Sequence, residues 1–377
     1  SRPHCLFLDS AMQEPHLGRY SFLAADPFDF VEGPADGVNG LGDLARRLTR
    51  WPATTVPGLP PFQGGAAGLL GYDLGRQFER LPRPAYDEFQ VPAMAVGLYD
   101  VVVAFDHVAG RAWVISQGFP ELEPAARHRR AKERLEEVRR WLVSPPPEPR
   151  PSTQTEHAAV IEADRLAPQY SAGIHAALTS DFSGPGYLAA VRRAIDYIVA
   201  GDVFQVNLAQ RLLCPATGDS VTLYLRLRER NPAPFAGYFD LGDFQIVSAS
   251  PERFLKVRDR MVEARPIKGT RPRRPCPEAD RSAGEELQRS VKDRAENVMI
   301  VDLLRNDLSR SCDPESVYVS QLCGLETYRD VQHLVSAVCG RLRDGLSPLD
   351  LVRAAFPGGS VTGAPKVRAM EIIAELE

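Results

Sequence analysis

The sequence lacks any apolar run long enough to cross a membrane, since its longest, Met94 to Phe105, is short and contains Asp100. No signal-peptide pattern is visible. The six cysteines are scattered without a CxxC pair, which argues against zinc and predicts reduced thiols in a cytoplasmic protein. A net charge of −4 excludes the global positive charge that is typical of nucleic-acid-binding proteins.

What is present is an ordinary globular composition, with 44% hydrophobic and 25% charged residues in a chain of 377. The proline-rich run from Ser144 to Ser152 cannot hold a helix or a central strand, so it predicts a linker. We therefore expect an N-terminal region at 1–143, a linker and connection at 144–182, and a second region at 183–377. Strand groups mixed with helices, without βαβ alternation, predict an α+β fold.

Lys268 follows an apolar strand pattern and lies among arginines. Neighbouring positive charge disfavours a protonated amine, so Lys268 is a candidate nucleophile, and a solvated turn lysine is the alternative. A turn centred near Arg260 would place Glu252 opposite Lys268 at about 4.5–5.5 Å between Cβ atoms, whereas a two-residue turn would shift the register by one. The pair is either an acid and a nucleophile flanking one substrate, or a cross-strand salt bridge.

Two other patterns suggest a metal and a base. Asp293, Glu296 and Asn297 share one face of a predicted helix, where carboxylates could hold Mg2+, although a solvated face with Lys292 paired to Glu296 is the alternative. His333 lies in an apolar run and is a candidate base or carboxylate partner. A satisfied core histidine is the alternative for His333.

A glycine-rich loop runs from Phe356 to Lys366 and leads into a helix that starts near Pro365. Backbone N–H groups at such a helix start bind anions. The glycine spacing resembles a P-loop, but Ala364-Pro365 stands where Lys-Ser/Thr is required, so we exclude a nucleoside triphosphate. A carboxylate ligand is the expectation, and a plain helix-entry turn is the alternative.

Taken together, these motifs resemble the chorismate-utilising enzymes, a family that includes anthranilate, aminodeoxychorismate, isochorismate and salicylate synthases. The matching segments are PFQGGAAGLLGYDLGRQFERLP, VPAMAVGLYD, FQVNLAQR, SASPERF…RPIKGTR, DRAENVMIVDLLRND and PGGSVTGAPKVRAMEII. They span most of the chain in the family's order. The resemblance implies the family's fold, a large mixed β-sheet sandwich with helices packed outside and two interleaved halves.

Two positions separate the branches of the family. Aminodeoxychorismate synthases typically carry lysine in the PIKGT motif, where anthranilate synthases usually have alanine, and this chain has Lys268. Isochorismate-type members usually carry lysine where this chain has Gln205. The resemblance thus implies the aminodeoxychorismate synthase component I branch, which aminates chorismate at C4 for folate biosynthesis, with anthranilate synthase component I as the alternative. It implies that Lys268 attacks C2 while Glu252 protonates the C4 hydroxyl.

The same resemblance implies Mg2+ held by Glu296, ammonia from a glutamine amidotransferase partner, and a set of substrate contacts. These contacts are Gln205, Thr270, His333, Thr362, Gly363 and Lys366. Residues that loosely match the family's amino-acid regulatory pocket are Ser10, Tyr20, Ser21, Pro234 and Phe235. The family pattern continues past Glu377 with an arginine and a second glutamate, so we expect a longer protein. A chain that ended there would be a non-catalytic ligand-binding subunit.

Overall fold

The computed structural model describes residues 2–12, 17–36, 39–144, 166–216 and 218–377. Most of the predicted linker at 144–182 lies outside these residues. Within the described ranges, no helix has the length and apolarity that a membrane crossing requires. All six cysteines are described, and all six are free thiols, as the sequence predicts.

The chain divides into two compact units that interleave along the sequence. Unit 1 comprises Ser1–Gln77, Glu88–Leu166 and Ala216–Pro251, and unit 2 comprises Phe78–Asp87, Ala167–Pro215 and Glu252–Glu377. This division differs from the predicted regions 1–143 and 183–377. The reason is that Phe235–Asp240 pairs with Leu6–Asp9, which brings a segment of the second half into unit 1.

Unit 1 is built on two antiparallel sheets with helices. Its strands, numbered in chain order over both units, are β1 (Leu6–Asp9), β2 (Tyr20–Ala24), β3 (Asp29–Gly33), β4 (Gly65–Leu70), β5 (Met94–Tyr99), β6 (Val101–Asp106), β7 (Arg111–Ser116), β12 (Phe235–Asp240) and β13 (Gln245–Ser250). The larger sheet has the order β13-β12-β1-β2-β6-β7, and the smaller has β3-β5-β4. Its helices are α1 (Gly40–Arg50), α2 (Pro124–Val143) and α4 (Ser220–Arg230).

Unit 2 is built on one main antiparallel sheet, two small sheets and helices. Its strands are β8 (Tyr170–Ser171), β9 (Thr179–Ser180), β10 (Gln205–Val206), β11 (Leu212–Leu213), β14 (Lys256–Arg258), β15 (Met261–Ala264), β16 (Ile267–Pro272), β17 (Tyr318–Thr327), β18 (Val331–Arg341) and β19 (Gly363–Ala364). The main sheet has the order β14-β15-β18-β16, and β17 also pairs with β18. Its helices are α3 (Gly184–Ala200), α5 (Pro277–Arg289), α6 (Val291–Ser309), α7 (Pro348–Ala355) and α8 (Lys366–Leu376).

The core of unit 2 lies between α6 and the main sheet. Buried residues at helical spacing on α6 pack against buried residues of β15 and β18, and these are Ile300, Val301, Leu304, Leu308, Val262, Ala264 and Val338. This packing fixes α6, which carries the predicted metal ligand, against the sheet that carries Lys268. Helices packed on antiparallel sheets, without βαβ alternation, confirm the α+β class.

Candidate active site

Glu252 lies between β13 and β14, with its carboxyl group half-buried in unit 2. The Ser360 hydroxyl donates to Glu252 Oε1 at 2.7 Å, and the Ile267 backbone N–H also donates to the carboxyl group. Burial raises the pKa of Glu252 above its ordinary value, although the Ser360 hydrogen bond and the Lys268 charge oppose the rise. Glu252 therefore keeps its proton to a higher pH than an exposed glutamate, as a general acid requires.

Lys268 lies on β16, and the strand pairing that places it near Glu252 differs from the predicted one. Asp259–Arg260 form a two-residue turn with φ values of 50° and 65°, and Val257 pairs with Val262. The turn near Arg260 is therefore the two-residue alternative, and the hairpin does not place Glu252 opposite Lys268, because β16 pairs with β18 instead. The Lys268 charge nevertheless acts on the Glu252 carboxyl group, so the two side chains share one environment.

The arginines around Lys268 have carboxylate partners. These ion pairs are Arg265 with Glu326, Arg271 with Glu286 at 3.1 Å, and Arg273 with Asp280 at 2.9 Å. Part of the positive charge that the sequence places around Lys268 is therefore compensated by carboxylates.

His333 and Thr270 lie opposite each other on the paired strands β18 and β16. Thr270 Oγ1 and His333 Nδ1 are 2.8 Å apart. Burial lowers the pKa of His333, and a hydrogen bond to the Gly269 backbone and the Glu326 charge only partly oppose this. The surroundings of His333 therefore favour its neutral form, and its strand partner Thr270 lies two residues after Lys268 on β16.

The glycine-rich loop is held against β10. Val206 pairs with Gly363, and the Asn207 N–H donates to the Thr362 carbonyl at 2.8 Å. Gly363 has φ 142°, and a Cβ there would lie 2.0 Å from the Gln205 carbonyl oxygen, so the strand contact requires glycine. Thr362 is fully buried, and its hydroxyl donates to the Gly358 carbonyl at 3.2 Å. This hydroxyl is thus used inside the loop.

Gln205 provides one polar atom without a protein partner. Its Nε2 donates to Asn207 Oδ1 at 3.1 Å, whereas its buried Oε1 accepts no hydrogen bond from the described residues. Buried oxygens are normally satisfied, so this atom is suited to contact a ligand or water. The substrate-contact role that the family resemblance implies for Gln205 stays a prediction.

Lys366 is not placed as a substrate contact. Its Nζ donates to Asp307 Oδ2 at 2.7 Å and to the Ala355 carbonyl at 2.6 Å, and only 11% of its side chain is exposed. Burial lowers the pKa of Lys366 and raises that of Asp307 to about 6. Because its amine is occupied inside the protein, Lys366 anchors the start of α8 to α6 and α7 instead.

The three side chains that were predicted to share a metal-binding face have separate environments. Asn297 is fully buried and donates to the Leu334 carbonyl at 3.2 Å, and Asp293 faces Arg271 at 3.4 Å. Glu296 is 38% exposed and lies 4.0 Å from Lys292. In the part of the chain that is described, no group of three or more Asp, Glu, His or Cys could hold a metal. Glu296 remains as a single candidate ligand.

The residues predicted for an amino-acid pocket come together in unit 1. Ser10 Oγ donates to the Tyr20 carbonyl at 2.6 Å and approaches the Pro234 carbonyl at 3.5 Å, and the Ser10 N–H donates to Ser21 Oγ at 3.0 Å. Phe235, which follows Pro234, begins β12. The sequence motifs therefore predicted a real cluster, and its ligand stays a prediction.

Sequence reasoning missed two contributions from polar side chains. Ser360 is not among the predicted site residues, yet its hydroxyl donates to Glu252. Asn207 is not among them either, yet its Nδ2 donates to the Ser360 carbonyl at 3.1 Å. The available signal was the pair of polar residues, Gln205 and Asn207, alternating within an apolar strand pattern.

The fold and this site define a chorismate-binding enzyme, and the chain belongs to that family: residues 21–377 match the family model described as chorismate binding enzyme. Anthranilate synthase component I from Streptococcus pneumoniae has a similar structure, with a TM-score of 0.78 and 30% identity over 97% of this chain and 79% of that one. The expected fold of the chorismate-utilising enzymes is thereby confirmed.

Two curated relatives are similar to nearly the same degree. Aminodeoxychorismate synthase component 1 of Salmonella typhimurium is 44% identical over 317 residues, which cover 84% of this chain and 62% of the relative. Anthranilate synthase component 1 of Thermus thermophilus is 43% identical over 326 residues, which cover 86% of this chain and 65% of the relative. The chain thus spans less than two thirds of the length of either relative.

Proposed function

We propose that the protein aminates chorismate at C4 and gives 4-amino-4-deoxychorismate for folate biosynthesis. The main observation that supports this proposal is that the Lys268 charge acts on the Glu252 carboxyl group, whose pKa is raised by burial. The two relatives act in different reactions at nearly equal identity, so the choice between these reactions rests on Lys268. Lysine at this position is typical of the aminodeoxychorismate synthase branch.

The first proposed step uses both side chains. The Lys268 amine forms a bond to C2 of the ring, the ring double bonds shift, and the bond from C4 to its hydroxyl breaks. Glu252 gives its proton to the departing oxygen, which leaves as water. The raised pKa of Glu252 supports this role, because a general acid works best with a pKa near the working pH.

The second proposed step replaces the lysine with nitrogen at C4. Ammonia forms a bond to C4, the double bonds shift back, and the bond between C2 and the Lys268 nitrogen breaks. Ammonia comes from a glutamine amidotransferase partner in this proposal. The words "component 1" in the names of both relatives support a partner component.

We also propose that Mg2+ binds with the substrate. Mg2+ usually takes one or two protein carboxylates, and waters and substrate oxygens fill its other positions. The exposed Glu296 carboxylate fits such a shared site, whereas the described residues do not form a complete protein cage. Bound there, the ion would balance the negative charge of the chorismate carboxylates.

Product identification tests the proposal. The protein is incubated with chorismate, ammonium and Mg2+, and products are separated by chromatography. We expect 4-amino-4-deoxychorismate, and anthranilate as the main product would instead assign the anthranilate synthase reaction.

Lys268→Ala tests the nucleophile. We expect a fall in kcat of roughly 10³-fold or more, as for other catalytic nucleophiles. Lys256→Ala removes an exposed lysine from β14 of the same sheet and is the matched control, with an expected rate near that of the wild type. Product formation by Lys268→Ala at the wild-type rate would rule out a covalent lysine adduct.

A further inference from the structure

Ser360 makes a direct contact with the acid of the proposed reaction. It lies in the short 3-10 turn Gly359–Val361, and its hydroxyl donates to Glu252 Oε1 at 2.7 Å. The Ile267 N–H also donates to this carboxyl group. A carboxyl group held by two donors from different parts of the chain has little rotational freedom, so its reactive oxygen keeps one direction.

The backbone of Ser360 is itself fixed by a neighbouring strand. Asn207 Nδ2 donates to the Ser360 carbonyl at 3.1 Å, and the Asn207 N–H donates to the Thr362 carbonyl at 2.8 Å. Gln205 Nε2 in turn donates to Asn207 Oδ1 at 3.1 Å, which orients the Asn207 amide. Hydrogen bonds thus run continuously from Gln205 through Asn207 and Ser360 to Glu252.

We propose that Ser360 is a positioning residue, whose hydroxyl aims the Glu252 carboxyl group at the substrate and whose own place is fixed by Asn207. This inference rests on the proposed function, because it assigns a purpose to the contact with the acid. Ser360 donates no proton in the reaction. It acts through Glu252, so its effect differs from that of a structural hydroxyl.

The hydrogen bond from Ser360 also affects the pH at which the Glu252 carboxyl group loses its proton. A hydroxyl that donates to a carboxylate favours the ionised form, whereas burial favours the protonated form. The groups that oppose the effect of burial on the pKa of Glu252 include the Ser360 hydroxyl, the Lys268 charge and the Ile267 N–H. Without the hydroxyl, burial is opposed less, so the pKa of Glu252 rises further.

The test is the pH profile of the Ser360→Ala enzyme with chorismate, ammonium and Mg2+. Activity that needs protonated Glu252 falls as pH rises through the pKa of this acid, so kcat/KM has an alkaline limb. We expect Ser360→Ala to move that limb upward by about 1 pH unit, since one hydrogen bond to a charged group is lost. We also expect kcat to fall by roughly 10-fold to 100-fold with little change in KM, because the acid is misaligned.

Two further variants separate positioning from structure. Ser360→Thr keeps a hydroxyl and should restore both the limb and kcat. Val361→Ala removes methyl groups from the exposed neighbouring residue and should leave the profile unchanged. The proposal would be overturned if the alkaline limb of Ser360→Ala lies at the same pH as that of the wild type. It would also be overturned if the Ser360→Thr enzyme behaves like Ser360→Ala.

A direct titration keeps the proposal independent of turnover. Infrared difference spectra against Glu252→Gln isolate the band of the protonated Glu252 carboxyl group. We expect its midpoint to rise by about 1 pH unit in Ser360→Ala, and equal midpoints would contradict the inference. If the wild type binds chorismate without aminating it, and the midpoint is still higher in Ser360→Ala than in the wild type, only the proposed function is contradicted.

Discussion

Two half-buried or buried carboxyl groups of unit 2 have raised pKa values, and in both the principal cause is burial. Asp307 has an ammonium partner, Lys366, at 2.7 Å, so its charge is held inside the protein. Glu252 accepts hydrogen bonds from Ser360 and Ile267, and the Lys268 charge also acts on its carboxyl group. In the proposed reaction Glu252 gives up its proton, whereas Asp307 is bonded to Lys366 at the start of α8.

Gly363 is the residue at which a single methyl group should be most harmful. In Gly363→Ala the new Cβ would lie 2.0 Å from the Gln205 carbonyl oxygen, at a φ of 142°. Gly345 has φ 82° with open space around its missing Cβ, so Gly345→Ala isolates the backbone strain. We expect about 1–2 kcal/mol of destabilisation for Gly345→Ala and at least about 3 kcal/mol for Gly363→Ala.

Urea denaturation followed by circular dichroism checks this prediction. We also expect Gly363→Ala to lose chorismate turnover, because the glycine-rich loop must move away from β10. Equal stabilities for the two alanine variants would show that the loop accommodates a Cβ without cost.

Among the helices and strands, features that depend on neighbouring residues in the chain, such as helix ends, can be predicted from the sequence. Helix α3 ends at Ala200, and Gly201 caps it with φ 85°, the left-handed conformation for which glycine is the usual residue at a helix C-terminus. The partners of β16 were not predictable in the same way, because it pairs with β18 across more than sixty residues. Strand β15 ends at Ala264 and β16 begins at Ile267, and the two strands both pair with β18.

A buried ion pair connects α6 and α8. Lys366 on α8 reaches Asp307 on α6 and the Ala355 carbonyl at the end of α7. Lys366→Met should lower the free energy of unfolding by about 3–5 kcal/mol, because Asp307 is left with an unpaired buried charge.

Two further variants are compared with Lys366→Met by urea denaturation. Asp307→Asn/Lys366→Met removes both charges and should recover a large part of the lost stability. Lys256→Met replaces an exposed lysine and should change stability by less than about 0.5 kcal/mol. Urea denaturation of the three variants decides, and a double variant as unstable as Lys366→Met would mean that the charge imbalance is not the cause.

For the whole molecule, the interleaving of the two units is the feature that the pattern along the chain could not reveal. The predicted boundaries followed composition, and the proline-rich run is a clear compositional change. The pairing of Leu6–Asp9 with Phe235–Asp240 joins segments more than two hundred residues apart, and alternating apolar residues do not specify a partner at that distance. The resemblance to a family, rather than the pattern, predicted the interleaved halves.

The titration of Asp307 contributes to the way in which the free energy of unfolding changes with pH. Its pKa is raised to about 6 by burial, with Lys366 and Arg310 opposing the rise, so the folded state holds a proton that the unfolded state has already lost. Between about pH 4 and pH 6 the unfolded state therefore binds fewer protons, and the free energy of unfolding falls as pH rises. This contribution to stability is complete below the unfolded pKa and is lost as pH rises through the folded one.

Asp307→Asn should remove this part of the pH dependence. Between about pH 4 and pH 7 we expect the wild type to lose up to about 3 kcal/mol relative to the variant, whose side chain does not titrate. Asp302→Asn on the same helix changes an exposed carboxylate, 66% accessible, and should follow the wild-type curve. Urea denaturation at a series of pH values gives the differences, and parallel curves for wild type and Asp307→Asn would mean that Asp307 stays ionised throughout, with Lys366 compensating fully for its burial.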